Sequence, residues 1–234
     1  MQKIADVITQ IPVLYIVSTP IGNLEDITLR AIRTLKEADL IAAEDTRHTR
    51  KLLSHYDIHT PLTSYFEGNE ASKLDSLIEQ LNSGKNIALV SDAGTPAISD
   101  PGFKLVRASI EKGIKVESIP GPSAAITALA VAGLPTDQFT FVGFLPDKEG
   151  KMRTKLSGLK DYKHTLVFYV SKWKIEKALA VMLEIFGERK AVLCRELTKM
   201  HEEVDRGTLS SIFERIGSKE IKGEVTLLIG ADKC

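Results

Sequence analysis

The sequence predicts an α/β chain of two domains, an N-terminal mostly parallel sheet with helices on both faces and a C-terminal mixed α/β sheet. Three observations point there. Strand-length apolar runs alternate with segments of helical period through the first half, which calls for right-handed crossovers and a covered parallel sheet. Pro120-Gly121-Pro122 then punctuates the chain. Beyond Gly133-Leu134-Pro135, strand-like runs outnumber helical ones. These place the domains at 1–122 and 123–234.

The elements follow in order. Residues 13–18 (VLYIVS) read as a buried strand, and 27–38 repeat apolar residues at Ile27, Ala31, Ile32 and Leu35, a helical spacing. Residues 40–43 form a short strand, 46–56 a helix, 62–65 a strand, 71–82 an amphipathic helix closed by Gly84, and 86–91 a strongly apolar strand. A helix over 103–112 ends at Gly113, a strand covers 115–119, and an alanine-rich helix covers 123–132. In the second domain strands are expected at 139–144, 165–170, 191–196, 201–206 and 224–229, with two clear helices at 175–186 and 209–216. The first dozen residues, MQKIADVITQIP, carry Lys3 and Asp6 and read as a short extension rather than a secretory signal.

Composition narrows the function classes. The chain has 234 residues, 43% of them apolar, enough for a packed core. No apolar run approaches the roughly 18 to 20 residues of a membrane helix. Cys194 lies inside an apolar run and Cys234 ends the chain, so neither a disulfide framework nor a metal spacing is present, and His55 and His59 lack a third ligand. A soluble, reduced, cytoplasmic protein without metal is expected. Thirty-one basic and 31 acidic side chains cancel, which argues against coating nucleic acid through overall charge. The distribution is uneven, however: residues 148–177 hold nine Lys/Arg against three acids. Such a run reads either as a solvated face or as a nucleic-acid track.

Three loops follow predicted strands, where open parallel sheets bind ligands. They are residues 18–24 (STPIGNL), 91–102 (SDAGTPAISDPG) and 120–125 (PGPSAA). In each, proline fixes φ while glycine removes the Cβ, so the backbone is stiff and approachable. Gly and Pro also mark ordinary turns, but three such loops in one half favour a site. Neither GxxxxGK[ST] nor a strand-following GxGxxG occurs, which removes the usual triphosphate and dinucleotide cradles. The loops hold few cations. A ligand with an adenosine, a carboxylate and little net charge suits them.

The stretches LYIVSTPIGNLEDITLRAIRTLKEADLIAAEDTRHTRKLL, NIALVSDAGTPAISDPGFKLV, IPGPSAAITALAVAGLP, FVGFLP, RELTKMHEEVDRGTL and KGEVTLLI resemble the ribosomal small-subunit RNA (cytidine-2′-O-)-methyltransferase family, a branch of the tetrapyrrole methylase superfamily. The resemblance spans about residues 13 to 230. It implies a tetrapyrrole-methylase-like two-domain fold, a homodimer, and S-adenosylmethionine bound in a cleft between domains. It further implies methylation of the ribose of a decoding-site cytidine in ribosomal RNA, in the assembled small subunit. Carried over residue by residue, the cofactor contacts fall on Pro20 and Gly22, on Asp92, Ala93, Gly94, Thr95 and Ile98, and on Ser123 and Ala124. From the second domain they fall on Tyr169, Leu197, Gly223 and Glu224. Thr95 stands where C-methylating cousins often have Asp, so a hydroxyl and adjacent amides are expected to meet the amino acid portion of the cofactor. One stretch departs: where the family usually reads FYESPHR, this chain reads Phe168-Tyr169-Val170-Ser171-Lys172-Trp173-Lys174, losing the acid, the Pro and the His-Arg pair. Some relatives also carry a further C-terminal segment.

Methyl transfer from a sulfonium is an in-line displacement, and the attacking ribose hydroxyl is a very weak acid that benefits from a proton acceptor. Arg195, Glu196 and Lys199 are the first candidates to surround that hydroxyl, with a Lys199 lowered in pKa by neighbouring cations or Glu196 as acceptor, and Asp100 the second. An Arg195–Glu196 ion pair that merely supports the strand end is the competing reading. Asp45 suits a helix cap, but capping leaves Arg47, His48, Arg50 and Lys51 unexplained near a helix start. Arg47 and Arg50 are therefore expected to meet RNA phosphate, with the 148–177 segment widening the track. The rivals are a tetrapyrrole C-methyltransferase or a protein methyltransferase of the same fold, and a non-catalytic dimeric module that binds the cofactor or the RNA.

Overall fold

The computed structural model describes residues 11–217 and 221–231. The chain divides into two compact units, 1–122 and 123–234. The extension at the N-terminus and Cys234 lie largely or wholly outside the described residues.

The first unit holds a five-stranded parallel sheet: β1 (Val13–Val17), β2 (Leu40–Ala43), β3 (Leu62–Ser64), β4 (Ile87–Val90) and β5 (Lys115–Ile119), in the order β3-β2-β4-β1-β5. The central strands β1 (VLYIV) and β4 (IALV) are continuous apolar runs because both of their faces are covered. On one face Leu35, Leu52, Leu53 and Ile58 pack against Val17, Ile41 and Val90; on the other Tyr65, Leu77, Leu81 and Leu105 pack against Leu14, Ile87 and Leu89. The covering helices are α1 (Leu29–Glu37), α2 (Thr46–His55), α3 (Glu70–Asn82) and α4 (Phe103–Glu111). The helix expected over 27–38 starts two residues later and ends one residue earlier. A 3-10 turn at Leu24–Asp26 precedes it, and α1 begins only after Thr28, whose hydroxyl accepts the Ala31 amide at 3.1 Å.

The second unit opens with α5 (Ala124–Ala132), which ends at Gly133 in the left-handed region (φ +72°). Its sheet comprises β6 (Phe139–Phe144), β7 (Thr165–Ser171), β8 (Lys190–Arg195), β9 (Glu203–Thr208) and β10 (Glu224–Ile229), in the order β6-β7-β10-β8-β9. Only β6 and β7 are parallel; the other pairs are antiparallel, so the sheet is mixed. A bulge between Phe141 and Gly143 (φ +68°) bends β6 at the sheet edge. Phe168, Leu179, Met182, Leu193 and Ile212 lie in the core between this sheet and its helices, α7 (Ile175–Phe186) and α8 (Leu209–Gly217).

Two expectations for this unit are corrected. A further helix, α6 (Glu149–Ser157), lies inside the basic segment, beyond the two helices expected in this unit. Its sequence EGKMRTKLS offers only Met152 and Leu156 to the core, one turn apart and both fully buried, so the apolar stripe is too thin to show as a period. The strand expected at 201–206 is β9 at Glu203–Thr208, because the preceding residues form turns with Glu196 and Thr198 at positive φ (52° and 67°).

Candidate functional site

In the first unit the loops that follow β1, β4 and β5 leave the same sheet edge, and they touch. Thr19, after β1, and Gly94, after β4, exchange both backbone hydrogen bonds: the Thr19 amide donates to the Gly94 carbonyl at 2.9 Å and the Gly94 amide to the Thr19 carbonyl at 3.0 Å. The Ser18 and Thr95 hydroxyls lie 2.9 Å apart in hydrogen-bond contact, and the Thr19 hydroxyl donates to the Ser91 carbonyl at 3.2 Å. The third loop is pressed onto the first. A Cβ at Gly121 would stand 2.9 Å from the Ser18 Cβ, closer than real side chains come. Gly94 itself has φ +81°, and a Cβ there would face Ile21 and the Pro122 carbonyl. So Pro20, Gly22, Asp92, Ala93, Gly94, Thr95 and Ile98 are carried on loops fastened to one another; Ser123 and Ala124, the later part of the third stretch, open the second unit at the start of α5.

The second loop is held in an unusual shape. Ala97 and Ser99, neither of them glycine, have φ of 68° and 64°, and Gly102 has φ +137° with Leu89 and Ala97 filling the place of a Cβ. Such backbone persists where the surroundings over-determine it, and it clusters at ligand sites. One anchor escaped the sequence reading: the buried Glu70, at the start of α3, accepts the Gly102 amide at 3.1 Å and pairs with Lys104 at 3.0 Å. No local pattern signals a contact 32 residues apart in the chain. Gly22, Ala93 and Ile98 are exposed on these loops, and Ile98 keeps 51% of its surface open, which leaves apolar contact area for a ligand.

Three carboxylates gather beside the second loop. Asp92 accepts the Asp45 amide at 3.0 Å, while Glu44 accepts the Asp92 amide at 3.3 Å, a reciprocal clasp between the β2 and β4 loops. Burial raises the Glu44 pKa, with the Asp92 amide opposing and the Asp92 and Asp45 charges adding. Asp100 is pushed up to about 6, chiefly by burial, then by the charge of Glu44, with a hydrogen bond from Ser91 opposing and Asp92 adding a little. Of the candidate proton acceptors, Asp100 alone has its affinity for protons tuned upward as a carboxylate.

Asp45 caps α2, as its position suggests, by accepting the Arg47 amide at 2.8 Å. It also binds the Arg47 guanidinium (Nη2–Oδ2 3.0 Å), and that hydrogen bond holds the Asp45 carboxyl down at about 2. Arg47 and Arg50 are both exposed. Arg47 is thus tethered at the helix start by the residue that caps it, which offsets the unfavourable placement of a cation there.

The second unit gathers its candidates at one sheet end. β6 and β7 end there, β8 ends there at Arg195, and β10 begins there at Glu224, which is paired with Ser171. Tyr169, Arg195, Glu196, Leu197, Lys199, Gly223 and Glu224 consequently share that end. Here the expected neighbours of Lys199 are corrected. They are not cations. Its ammonium donates to Glu196 at 3.0 Å and to Glu224 at 2.9 Å. Partial burial works to lower its pKa, but the hydrogen bonds to Glu224 and Glu196 outweigh that and raise it. Glu196 is equally committed. Its Oε1 also accepts the Glu224 amide at 2.9 Å, and although burial works to raise its pKa, the Glu224 amide, Lys199 and Arg195 lower it overall. Gly223 (φ +89°) is the residue that leaves room for this, since a Cβ there would stand 2.3 Å from the Glu196 carboxylate. Nor do Arg195 and Glu196 form the ion pair of the competing reading; Arg195 binds Glu203 through Nε (3.1 Å) and Nη2 (3.0 Å).

A hollow of about 450 Å³ lies elsewhere in the first unit, lined by Lys36, Asp39, Asp57, His59 and Pro61, and holds none of the loop residues. Among the described residues no cluster of His, Cys, Asp or Glu has the make-up of a metal site, and no helix is long and apolar enough to cross a membrane.

Residues 13–212 match the model of the tetrapyrrole (corrin/porphyrin) methylases. The chain is 54% identical over 216 residues to the ribosomal RNA small subunit methyltransferase I of Halalkalibacterium halodurans, a match covering 92% of this chain and 75% of that protein. It is 48% identical over 217 residues to the protein of the same name from Bacillus subtilis, covering 93% and 74%. Among solved structures it superposes on a uroporphyrin-III-C-methyltransferase from Thermus thermophilus (TM-score 0.66, 22% identity, 93% of this chain and 94% of that one). It also superposes on a diphthine synthase (TM-score 0.71, 14% identity, 93% and 90%). At those identities the two structures speak for the fold alone. The matched span of nearly the whole chain, and relatives at about half identity, place this chain in the tetrapyrrole methylase family, on the branch of the ribosomal RNA small subunit methyltransferases I.

Proposed function

We propose that the chain transfers the methyl group of S-adenosylmethionine to the 2′-hydroxyl of a cytidine in the decoding region of small-subunit ribosomal RNA. The observation that carries this reading is the fastening of the three glycine-proline loops into one cradle, in a chain about half identical to ribosomal RNA methyltransferases. The residues fit the cofactor. Gly121 lets the third loop close onto the first, Gly94 takes a φ of +81° that side chains rarely adopt, Ser18 and Thr95 supply hydroxyls, and Ile98 supplies apolar surface. We assign its binding to Pro20, Gly22, Asp92, Ala93, Gly94, Thr95 and Ile98, with Ser123, Ala124, Tyr169, Leu197, Gly223 and Glu224 as further contacts. Bound there, S-adenosylmethionine supplies an electrophilic methyl on a sulfonium leaving group.

The protein's work is positioning and proton acceptance. Rigid loops hold the donor so that a ribose oxygen meets it in line. Asp100 is the assigned proton acceptor, because its raised pKa makes it a stronger base than an ordinary carboxylate while leaving it ionised at neutral pH. Lys199, held protonated by two carboxylates, and Glu196, held ionised, are assigned to the electrostatic framework with Arg195. Lys199→Met is accordingly expected to lower kcat less than about tenfold, well short of the loss of a general base; a larger loss at unchanged cofactor affinity would return the proton-transfer role to Lys199. Arg47 and Arg50 are assigned to RNA phosphate, so affinity for RNA should fall as salt rises. The protein is proposed to act in the cytoplasm, as a homodimer, on the assembled small subunit and without a metal.

The deciding experiment incubates the protein with radiolabelled S-adenosylmethionine and small subunits lacking the modification, or naked RNA, and maps the label by nuclease digestion. Label on the ribose of one cytidine, greater with subunits, is expected. Label on a base, or none in RNA, would contradict the assignment.

A further inference from the structure

At the sheet end of the second unit that carries Arg195, Lys199 and Glu224 stands a group that no assigned role uses. Trp173 is 81% exposed, in the turn between β7 and α7. Indole side chains seldom remain this open, since so large an apolar surface gains by burial. The turn is firmly built: the Lys174 amide donates to the Ser171 carbonyl at 2.9 Å, and buried Val170 and Ile175 anchor it on either side. Lys174 is tied to Asp147, and Lys177 to Glu149 at 3.1 Å, which fixes the start of α7 to the start of α6. The indole is therefore presented outward by a rigid frame.

Its surroundings are cationic. The Lys172 ammonium lies 4.6 Å from the ring centroid. Among the described residues Lys148, Lys151 and Lys172 form no ion pair, while Asp147 and Glu149 are already engaged by Lys174, Lys177 and Arg153. Phe144, at the end of neighbouring β6, is 56% exposed and packs its edge against Tyr169, 5.5 Å between centroids. Open aromatic faces among unpaired lysines are the recognition chemistry of single-stranded nucleic acid, where bases stack and phosphates are neutralised. A symmetric contact of two copies through this patch would set like charges against each other and is disfavoured.

We propose that Trp173 is a stacking platform for an unpaired base of the RNA substrate, with Lys172 and the lysines at the start of α6 engaging the flanking phosphates. This rests on the RNA reading above and adds to it a contact made by the turn between β7 and α7.

Trp173 is the single tryptophan of the chain, so intrinsic fluorescence reports on it alone. A 12-nucleotide oligocytidylate is expected to quench it saturably, whereas an abasic ribose-phosphate strand of equal length, carrying the same charge, is not. Trp173→Ala should weaken oligocytidylate binding, followed by anisotropy of a labelled strand, by about 5- to 100-fold, and Trp173→Phe should restore most of it. In methylation of small subunits Trp173→Ala should raise KM for the subunit and leave KM for S-adenosylmethionine unchanged. Equal quenching by both strands, binding of Trp173→Ala within twofold of wild type, or a fluorescence change that follows protein concentration without RNA, as burial by a second copy would give, each overturns the proposal. The two claims separate cleanly. Wild-type methylation with an unaffected Trp173→Ala variant sinks the platform and keeps the enzyme, whereas absence of RNA methylation sinks the enzyme reading while the quenching still decides on Trp173.

Discussion

Asp100→Asn is expected to lower kcat by about 10²- to 10⁴-fold, the contribution of a positioned general base, while leaving S-adenosylmethionine affinity within a few-fold of wild type. The wild-type rate should carry the same signature in its pH dependence. The acceptor must be ionised, and Asp100 is pushed up to about 6, so activity should fall as pH drops through 6, tenfold per unit below it. The direction follows from the environment. Burial and the nearby Glu44 charge both penalise the ionised form, and the Ser91 hydrogen bond only partly offsets them. Glu44→Gln removes one of those penalties and should move the inflection to lower pH. A flat profile between pH 5 and 8 with a fully active Asp100→Asn would remove Asp100 from the chemistry.

The second large effect is expected at Gly121. Its Cβ position lies 2.9 Å from the Ser18 Cβ, so Gly121→Val must push the third loop off the first. The overpacking costs stability by about 1 to 3 kcal/mol. Cofactor affinity should suffer far more, about 100-fold or beyond, because a displacement of an ångström disrupts a site that works by preorganised geometry. Calorimetric titration with S-adenosylmethionine and a urea midpoint separate the two losses. Parallel small losses in both would mean that the loops are joined for stability rather than for binding.

Much of this was legible in the chain because it is local. Uninterrupted runs such as VLYIV and IALV announce strands covered on both faces, and Asp45 and Gly133 mark helix ends through chemistry confined to a few residues. The three loops also announce themselves, since Gly-Pro chemistry after a strand is a local signal. What escaped was thin or distant. The helix α6 spends only two side chains on the core, and the turn at 196–201 that delays β9 depends on positive φ at Glu196 and Thr198 rather than on any turn-forming residue. The charge on Lys199 is set by Glu224, 25 residues away, and that contact exists because β10 starts where β8 ends. Glu70 beneath Gly102 and Glu44 beside Asp100 are likewise joined to the second loop only by the order of strands in the sheet. Residue types thus point to the candidate loops, whereas the partners that shift the pKa values of Lys199, Glu196 and Asp100 are brought in by topology.

The most direct measurement is amide hydrogen exchange with and without S-adenosylmethionine, because it reports both whether the donor binds and where. Slowed exchange is expected to concentrate in residues 18–24, 91–102 and 120–125, with the fastened pair Thr19 and Gly94 among the strongly protected amides. Unchanged exchange in those three loops at saturating donor, or protection confined to other segments, would contradict the cradle on which the proposed methyl transfer depends.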